Sequence, residues 1–313
     1  GTLYGAAKDV KREIGYGLCT VIAFFALFMG QSDNAYLSLA AFFGFLPLYL
    51  FRSKRGIRRY ATLLAAVFSV IKCISWILIE YSDTVIPLHG IFDVVSGFGK
   101  MNELLALLWG AVVTLWIWEL VSAKKKPQAP KALIWLWWGV IAAVFAAVVY
   151  ALYDANIAGN AEKYGGLSKY LVINDDWGTH RWYIWRIAIE NYMDFPLAQK
   201  IFGHGPDTFG LVTYFNNLED MTGRYGEIFD SAHNEYIQYL VTMGPTGLLA
   251  YLAFHVTAFW NIVRKRIENP IFMAILFAVL CYAAQAAVNI NQPIATPVMW
   301  TLLSIGCVKN DRA

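Results

Sequence analysis

Apolar runs, broken by short basic, polar or glycine-marked stretches, dominate the chain. Eight of them approach the roughly 17–25 residues that carry a helix across a bilayer core at about 1.5 Å per residue. They are residues 14–29, 35–51, 61–79, 101–121, 132–153, 236–260, 271–290 and 294–308. The last is short and interrupted by Pro297, and the second holds Pro47 near its end, which a membrane helix tolerates. The pattern predicts an all-α fold: a polytopic membrane helix bundle of about eight spans with one long extracytoplasmic loop. Residues 1–153 supply five spans, 154–235 the loop, and 236–313 the last three spans.

Basic residues occupy alternate connections. Lys8, Lys11 and Arg12 precede the first span; Arg52, Lys54, Arg55, Arg58 and Arg59 fill the second connection. Lys124, Lys125, Lys126 and Lys131 fill the fourth, Arg264, Lys265 and Arg266 the sixth, and Lys309 and Arg312 the tail. Lys100 is the exception among the intervening connections. By the positive-inside rule the basic set is cytoplasmic, with both termini inside and segment 154–235 outside. That segment is too long for a plain connection. Its amphipathic stretches, such as residues 182–192, predict short helices lying on or near the membrane surface. It is either a decoration or, packed over the bundle, the holder of the active site.

Composition sharpens this. The 313 residues are 58% hydrophobic and 15% charged, against about 25% charged in a soluble domain, which excludes an ordinary soluble enzyme, a disordered chain and a nucleic-acid binder. The formal net charge of +3 hides a separation: the cytoplasmic segments are strongly basic and the outer loop is acidic overall. Outer arginines are therefore not needed for topology, and an anionic ligand becomes a better reason for them. Cys19, Cys73, Cys281 and Cys307 all lie in spans, so no disulfide staples the loop, and no Cys/His spacing resembles a zinc site. No metal and no cofactor are expected. The stub before the first span reads like an internal connection, so earlier spans are expected upstream of Gly1.

Candidate chemistry concentrates in the loop. It ends in Phe229-Asp230-Ser231-Ala232-His233-Asn234-Glu235-Tyr236, running into the sixth span. With Asp230 or Ser231 as N-cap, His233 falls in the first helical turn, sharing a face with Tyr236, Ile237 and Leu240. A helix N-terminus disfavours an added positive charge, leaving a neutral imidazole able to accept a proton from an attacking hydroxyl. The alternative is an interfacial histidine. Arg181, Arg186 and Arg224 are the loop's arginines; each is either a bidentate phosphate ligand or a snorkelling side chain at the headgroups. Five residues apart, Arg181 and Arg186 point about 140° from each other on a helix. The Gly203-His204-Gly205-Pro206 stretch reads as a tight turn with His204 a turn residue, and is not a nucleotide fingerprint. Lys72, Glu103, Glu119, His255, Gln285 and Asn289 are polar points within spans, the glutamates and His255 expected to bond between helices or at the interface.

The run from Ser231 to Tyr251, with its His233-Asn234 pair and its Gly244-Pro245-Thr246-Gly247-Leu248 step, resembles the O-antigen ligase and polymerase family of membrane proteins (WaaL-like and Wzy-like). So do the Arg181-x-x-x-Trp185 stretch, the Gly203-x-Gly205-x-x-x-Phe209 turn and the 289–300 segment with Pro297 and Trp300; together they cover about residues 178–306. The resemblance implies a metal-independent membrane glycosyltransferase. Its donor would be a glycan on a polyprenyl diphosphate at the outer face of the bacterial cytoplasmic membrane, and its acceptor a glycan, lipid or protein. Other glycan-assembly proteins would be partners. Carried over, Arg181 is the first phosphate ligand, Arg224 the second and His233 the base, with Trp185, Arg186, Asn234 and Tyr236 as substrate-binding candidates. The family commonly has a further arginine in an earlier span, in a Ser-Arg-Gly setting. Here Gln31-Ser32-Asp33-Asn34-Ala35-Tyr36 has none, leaving Lys72 or an upstream residue to substitute. The family normally has about a dozen spans, so eight fit a C-terminal portion. Other classes to weigh are a flippase for the same lipid-linked glycan, for which the spans offer few midplane polar groups, and a noncatalytic scaffold. Ligase and polymerase differ only in acceptor, and no residue separates them.

Overall fold

A computed structural model describes residues 1–121 and 131–308. Their regular structure is helical, with no strand among the described residues. The lysines at 124–126 and the tail residues Lys309 and Arg312, on which part of the orientation reading rests, lie outside them. In order, the helices are α1 (Thr2–Gly5), α2 (Val10–Met29), α3 (Asn34–Leu50), α4 (Lys54–Glu80), α5 (Ile91–Ser96), α6 (Met101–Val121) and α7 (Ala132–Asn156). After a 3₁₀ segment (Ala161–Leu167) come α8 (Ser168–Leu171), α9 (Trp177–Asp194), α10 (Leu197–Phe202), α11 (Phe209–Tyr225), α12 (Glu235–Lys265), α13 (Pro270–Ala286) and α14 (Thr296–Cys307). By length and composition α2, α4, α6, α7 and α12 are able to cross a membrane; α3, α13 and α14 are shorter apolar helices. Each of the eight predicted spans has its helix, and the chain is a polytopic membrane helix bundle.

The chain forms two compact units, Gly1–Val149 and Tyr150–Ala313. In the first, Asp9 and Ser53 cap α2 and α4 by accepting from Arg12 N and Gly56 N. Phe24, Phe28, Ile71, Ile74, Phe92 and Met101 anchor the core. At one end Arg58 bonds both Glu13 and Glu119 (2.9 and 2.8 Å), and Arg59 bonds Glu13 at 2.6 Å, tying the starts of α2 and α4 to the end of α6. Asp33 accepts from Ile91 N at 2.9 Å and so joins the α2–α3 connection to the one before α5. Glu119 is thus an interhelical partner, as expected. Lys72 and Glu103 lie on exposed faces. Large apolar side chains are exposed along α6 and α7, among them Leu107, Trp116, Trp135 and Phe145, the surface that suits lipid rather than water.

The second unit shows why the segment after α7 is no loose decoration. Its helices have their own core of Tyr183, Ile184, Ile187, Phe209, Val212 and Met221, to which Ala232 and Val241 also belong. Asn191 bonds Asn217 at 2.7 Å and Asn216 at 2.9 Å, joining α9 to α11.

The sixth predicted span, 236–260, requires correction. α12 is not one straight helix: Gly244 breaks it with φ 67° and ψ −179°, a conformation essentially confined to glycine. Pro245 follows and has no N–H, so the Val241 carbonyl loses its helical donor. The turn between α10 and α11 supplies replacements. His204 N–H donates to Val241 O and Gly205 N–H to Thr242 O, both at 2.9 Å, while Thr246 Oγ1 donates to Ile201 O at 3.0 Å. Gly203 has φ 78° and ψ 178°. A Cβ on it would sit 2.3 Å from the Thr242 carbonyl carbon, and one on Gly244 would sit 2.3 Å from Ile201 O. Two glycine-only conformations therefore face each other across a backbone seam.

The break turns the chain back. Tyr251 Oη donates to Glu235 Oε2 at 2.9 Å, although the two are 16 residues apart. On a straight helix that separation is about 24 Å, beyond the reach of both side chains. Leg 235–243 therefore folds against leg 245–265, with Tyr239 stacked on Tyr251 at 4.5 Å. Two smaller corrections concern the last spans. α13 ends at Ala286 rather than 290, and Pro297 does not interrupt α14 but opens it, where a missing N–H costs nothing.

Gly244→Ala is expected to destabilise the fold by on the order of 2–4 kcal/mol, since left-handed strain and a backbone clash coincide. Thermal unfolding in detergent checks this; an unchanged transition would show that the seam is not as close as described.

Candidate active site

His233 stands just ahead of α12, not inside its first turn. Asn234 is the N-cap, its Oδ1 accepting from Tyr236 N and Ile237 N at 3.0 and 3.1 Å, and neither Asp230 nor Ser231 caps the helix. His233 itself has φ 46°, which removes it from the helical face it was expected to share with Tyr236, Ile237 and Leu240. The backbone before it is held firmly. Trp185 Nε1 donates to Ala232 O at 2.9 Å, and Ala232 N donates to Gln238 Oε1 at 2.9 Å.

Arg181 is the first regular residue of α9, because Gly178, Thr179 and His180 all have positive φ (64°, 61° and 67°). Its Nη1 donates to Gly178 O at 2.9 Å, folding the guanidinium over this strained turn. Left-handed backbone at a non-glycine residue costs on the order of 1–3 kcal/mol and tends to collect at functional sites. Among the described residues five non-glycines show it, and Thr179, His180 and His233 are three of them. The His180 ring packs on Tyr225 at 4.2 Å, which gives the turn an aromatic floor.

Two charges act on the half-buried imidazole. Burial comes first in holding the His233 pKa below the usual histidine value; the nearby Arg181 cation pushes the same way, and Asp230 opposes it weakly. A lowered value was expected from the helix terminus. The causes in the structure are desolvation and the Arg181 charge; Arg181 stands one turn from Trp185, whose indole holds the carbonyl of Ala232, the residue before His233.

Arg186 and Arg224 are gathered elsewhere. Arg186 pairs with Asp175 at 3.0 Å and Glu190 at 3.2 Å, while Arg224 pairs with Asp220 at 2.6 Å and Asp175 at 3.3 Å. Both guanidiniums lie against the Tyr183 ring, 5.3 and 5.9 Å from its centre, and Tyr183 Oη donates to Asp220 at 2.7 Å. The Tyr183 hydroxyl and then Arg224 hold the Asp220 carboxyl below its usual range. The pairs are partly exposed, so each is worth little alone, but together they keep two cations in a fixed array. The remaining substrate candidates are engaged inside the protein: Trp185 and Asn234 as above, and Tyr236 through Oη to Ala283 O at 2.7 Å. His204 is a turn residue, as expected, with its ring beside Phe195.

Sequence reasoning missed one polar cluster altogether. Glu235, 1% exposed, accepts from Tyr251 Oη and from Tyr282 Oη, and Tyr282 also meets Thr296 Oγ1 at 2.7 Å. Gln285 and Asn289, noted only as polar points, line a cavity of about 40 Å³ beside this carboxylate. His255 is buried below, its Nδ1 3.0 Å from Tyr251 O and its ring facing Trp300 of α14.

A polytopic membrane helix bundle whose folded loop docks on a broken helix, with a histidine just ahead of that helix, is the class this chain defines. Residues 102–252 match the family model described as O-Antigen ligase (Wzy_C), and the match supports placing the chain in the O-antigen ligase family. It takes in just under half the sequence, from α6 to the second leg of α12, and contains Arg181, Arg186, Arg224, His233 and the Gly244 break; α13 and α14 lie beyond it. Comparison with curated proteins finds no match. The match supports a membrane glycan-assembly enzyme of glycosyltransferase type, and the apolar helices fit a multi-pass protein of a bacterial inner membrane.

A histidine whose folded value is depressed is neutral at pH 7. Its contribution to stability is complete above the unfolded value of about 6.5 and is lost as pH falls from there through the folded value. NMR titration of the His233 ring is expected to give a midpoint below 6.5, moved upward by Arg181→Gln. A midpoint at or above 6.5 that Arg181→Gln leaves unmoved would contradict the pairing.

Proposed function

We propose that the protein transfers or polymerises a glycan from a polyprenyl-diphosphate-linked donor at the outer face of the cytoplasmic membrane. The observation that carries this reading is that, within the O-antigen ligase region, Arg181 lies one helical turn from Trp185, whose indole holds the Ala232 carbonyl next to His233. The acceptor hydroxyl oxygen attacks the donor's anomeric carbon. The carbon–oxygen bond to phosphate breaks, polyprenyl diphosphate leaves with the electron pair, and His233 takes the hydroxyl proton. Arg181 offsets the charge that develops on the leaving phosphate, the step where fixed cations matter most. Arg224, with Arg186, extends the cationic array toward the second phosphate or the glycan. No metal and no cofactor enter this scheme, and ligase and polymerase share it, differing in whether the acceptor is another lipid or protein or a second donor-linked glycan.

The test is reconstitution of the full-length protein with lipid-linked oligosaccharide, scoring glycan extension or acceptor glycosylation. His233→Ala is expected to lower turnover about 10²–10⁴-fold, the usual worth of a general base. Arg181→Ala is expected to lose about 10²–10³-fold, in line with removing one stabilising donor. Arg224→Ala is expected to lose less, about tenfold, because its charge is already shared with two carboxylates. Full activity in His233→Ala would remove the assigned role. Translocation of donor without bond formation would instead mark a flippase.

A further inference from the structure

Glu235 is the buried carboxylate that the scheme above does not use. Its oxygens meet donors from three directions: Tyr251 Oη on the second leg of α12, Tyr282 Oη on α13, and the Asn291 amide, which with its nitrogen turned inward donates to Oε2 at 3.1 Å. Tyr282 passes the connection on to Thr296 Oγ1, which also accepts from Gln292 N at 3.0 Å. Every group around the carboxylate offers a hydrogen, the surroundings a buried anion needs. Removing one partner from such a set is costly, because it leaves the rest mismatched. Glu235 is also the first residue of α12, one place from the cap Asn234 and two from His233. The first leg has few other ties at this end: the Trp185–Ala232 and Gln238–Ala232 bonds on one side, and Tyr236 Oη to Ala283 O on the other.

We infer that Glu235 is a positioning residue for His233: its cage of Tyr251, Tyr282 and Asn291 locks the folded-back leg of α12 and so sets where the imidazole stands. This rests on the reading of His233 as the base. Because Glu235 does not contact substrate, its loss acts on turnover and leaves donor binding alone. Displacement of a reacting group by about 1 Å costs on the order of 100-fold. Glu235→Gln puts an amide hydrogen where only acceptors fit, and Glu235→Gln with Asn291→Asp returns one carboxylate to the cage with acid and amide exchanged.

Steady-state kinetics of the reconstituted full-length protein tests this. Glu235→Gln is expected to lower kcat about 10–100-fold with donor KM within about twofold, and the exchanged pair to recover most of the loss. Tyr251→Phe and Tyr282→Phe keep the carboxylate and each remove one donor; a fall in kcat at constant KM is expected for both, and they decide the matter if Glu235→Gln does not fold. Unchanged kcat in the variants that fold, or a rise in KM alone, would overturn the inference. His233→Ala run alongside separates the two levels: an inactive His233→Ala with a fully active Glu235→Gln removes only the positioning role, whereas an active His233→Ala removes the functional reading beneath it.

Discussion

The second unit depends on two backbone carbonyls that α12 cannot satisfy by itself. Pro245 strips Val241 O of its helical partner, and the glycine-only conformation of Gly244 opens Thr242 O as well. In an apolar environment an unpaired carbonyl is too costly to leave. The N–H groups of His204 and Gly205 answer both, and only a turn with glycine at 203 comes close enough to deliver them. One seam therefore bends the helix and docks the loop on the bend.

The consequences reach the site. Because α12 folds back, its head lies alongside Tyr251 rather than at the far end of a long rod. The same loop that docks on the bend packs Tyr183, Ile187 and Phe209 under the first leg, and its helix α9 bonds the residue before His233 through Trp185. Positive φ falls at Thr179 and His180, just before Arg181, and at His233. A polar cage around Glu235 then fastens the first leg to the second leg, to α13 and to the connection before α14. His233, Arg181 and their scaffold are thus parts of one folded object made from what looked like a loop and a span.

How much of this was legible depends on distance along the chain. The apolar runs locate every helix that is long and apolar enough to cross a membrane, and for α6 both limits agree with the pattern, since hydrophobic length is a local property. The bend was not legible: residues 236–260 are apolar on both sides of Gly244, and composition carries no direction. The cap was ambiguous for a local reason, as Asp230, Ser231 and Asn234 are all cap-forming residues and only geometry shows whose side chain reaches two free N–H groups. Asp175 lies 49 residues from Arg224 and Tyr282 lies 47 from Glu235, so neither the Asp175 bridge nor the Tyr282 contact has a sequence signature. Motif resemblance singled out Arg181 and His233, and the fold ties α9 to the residue before His233 through the Trp185–Ala232 bond.

The central claim is that α12 doubles back at Gly244 and so brings His233 into the Arg181 site. Spin labels at Tyr236→Cys and Leu252→Cys, in a background with Cys19, Cys73, Cys281 and Cys307 replaced, test it by their dipolar coupling. The folded helix predicts strong broadening, from a separation under about 15 Å. A straight helix places the same positions about 24 Å apart, and a spectrum without broadening would contradict the account.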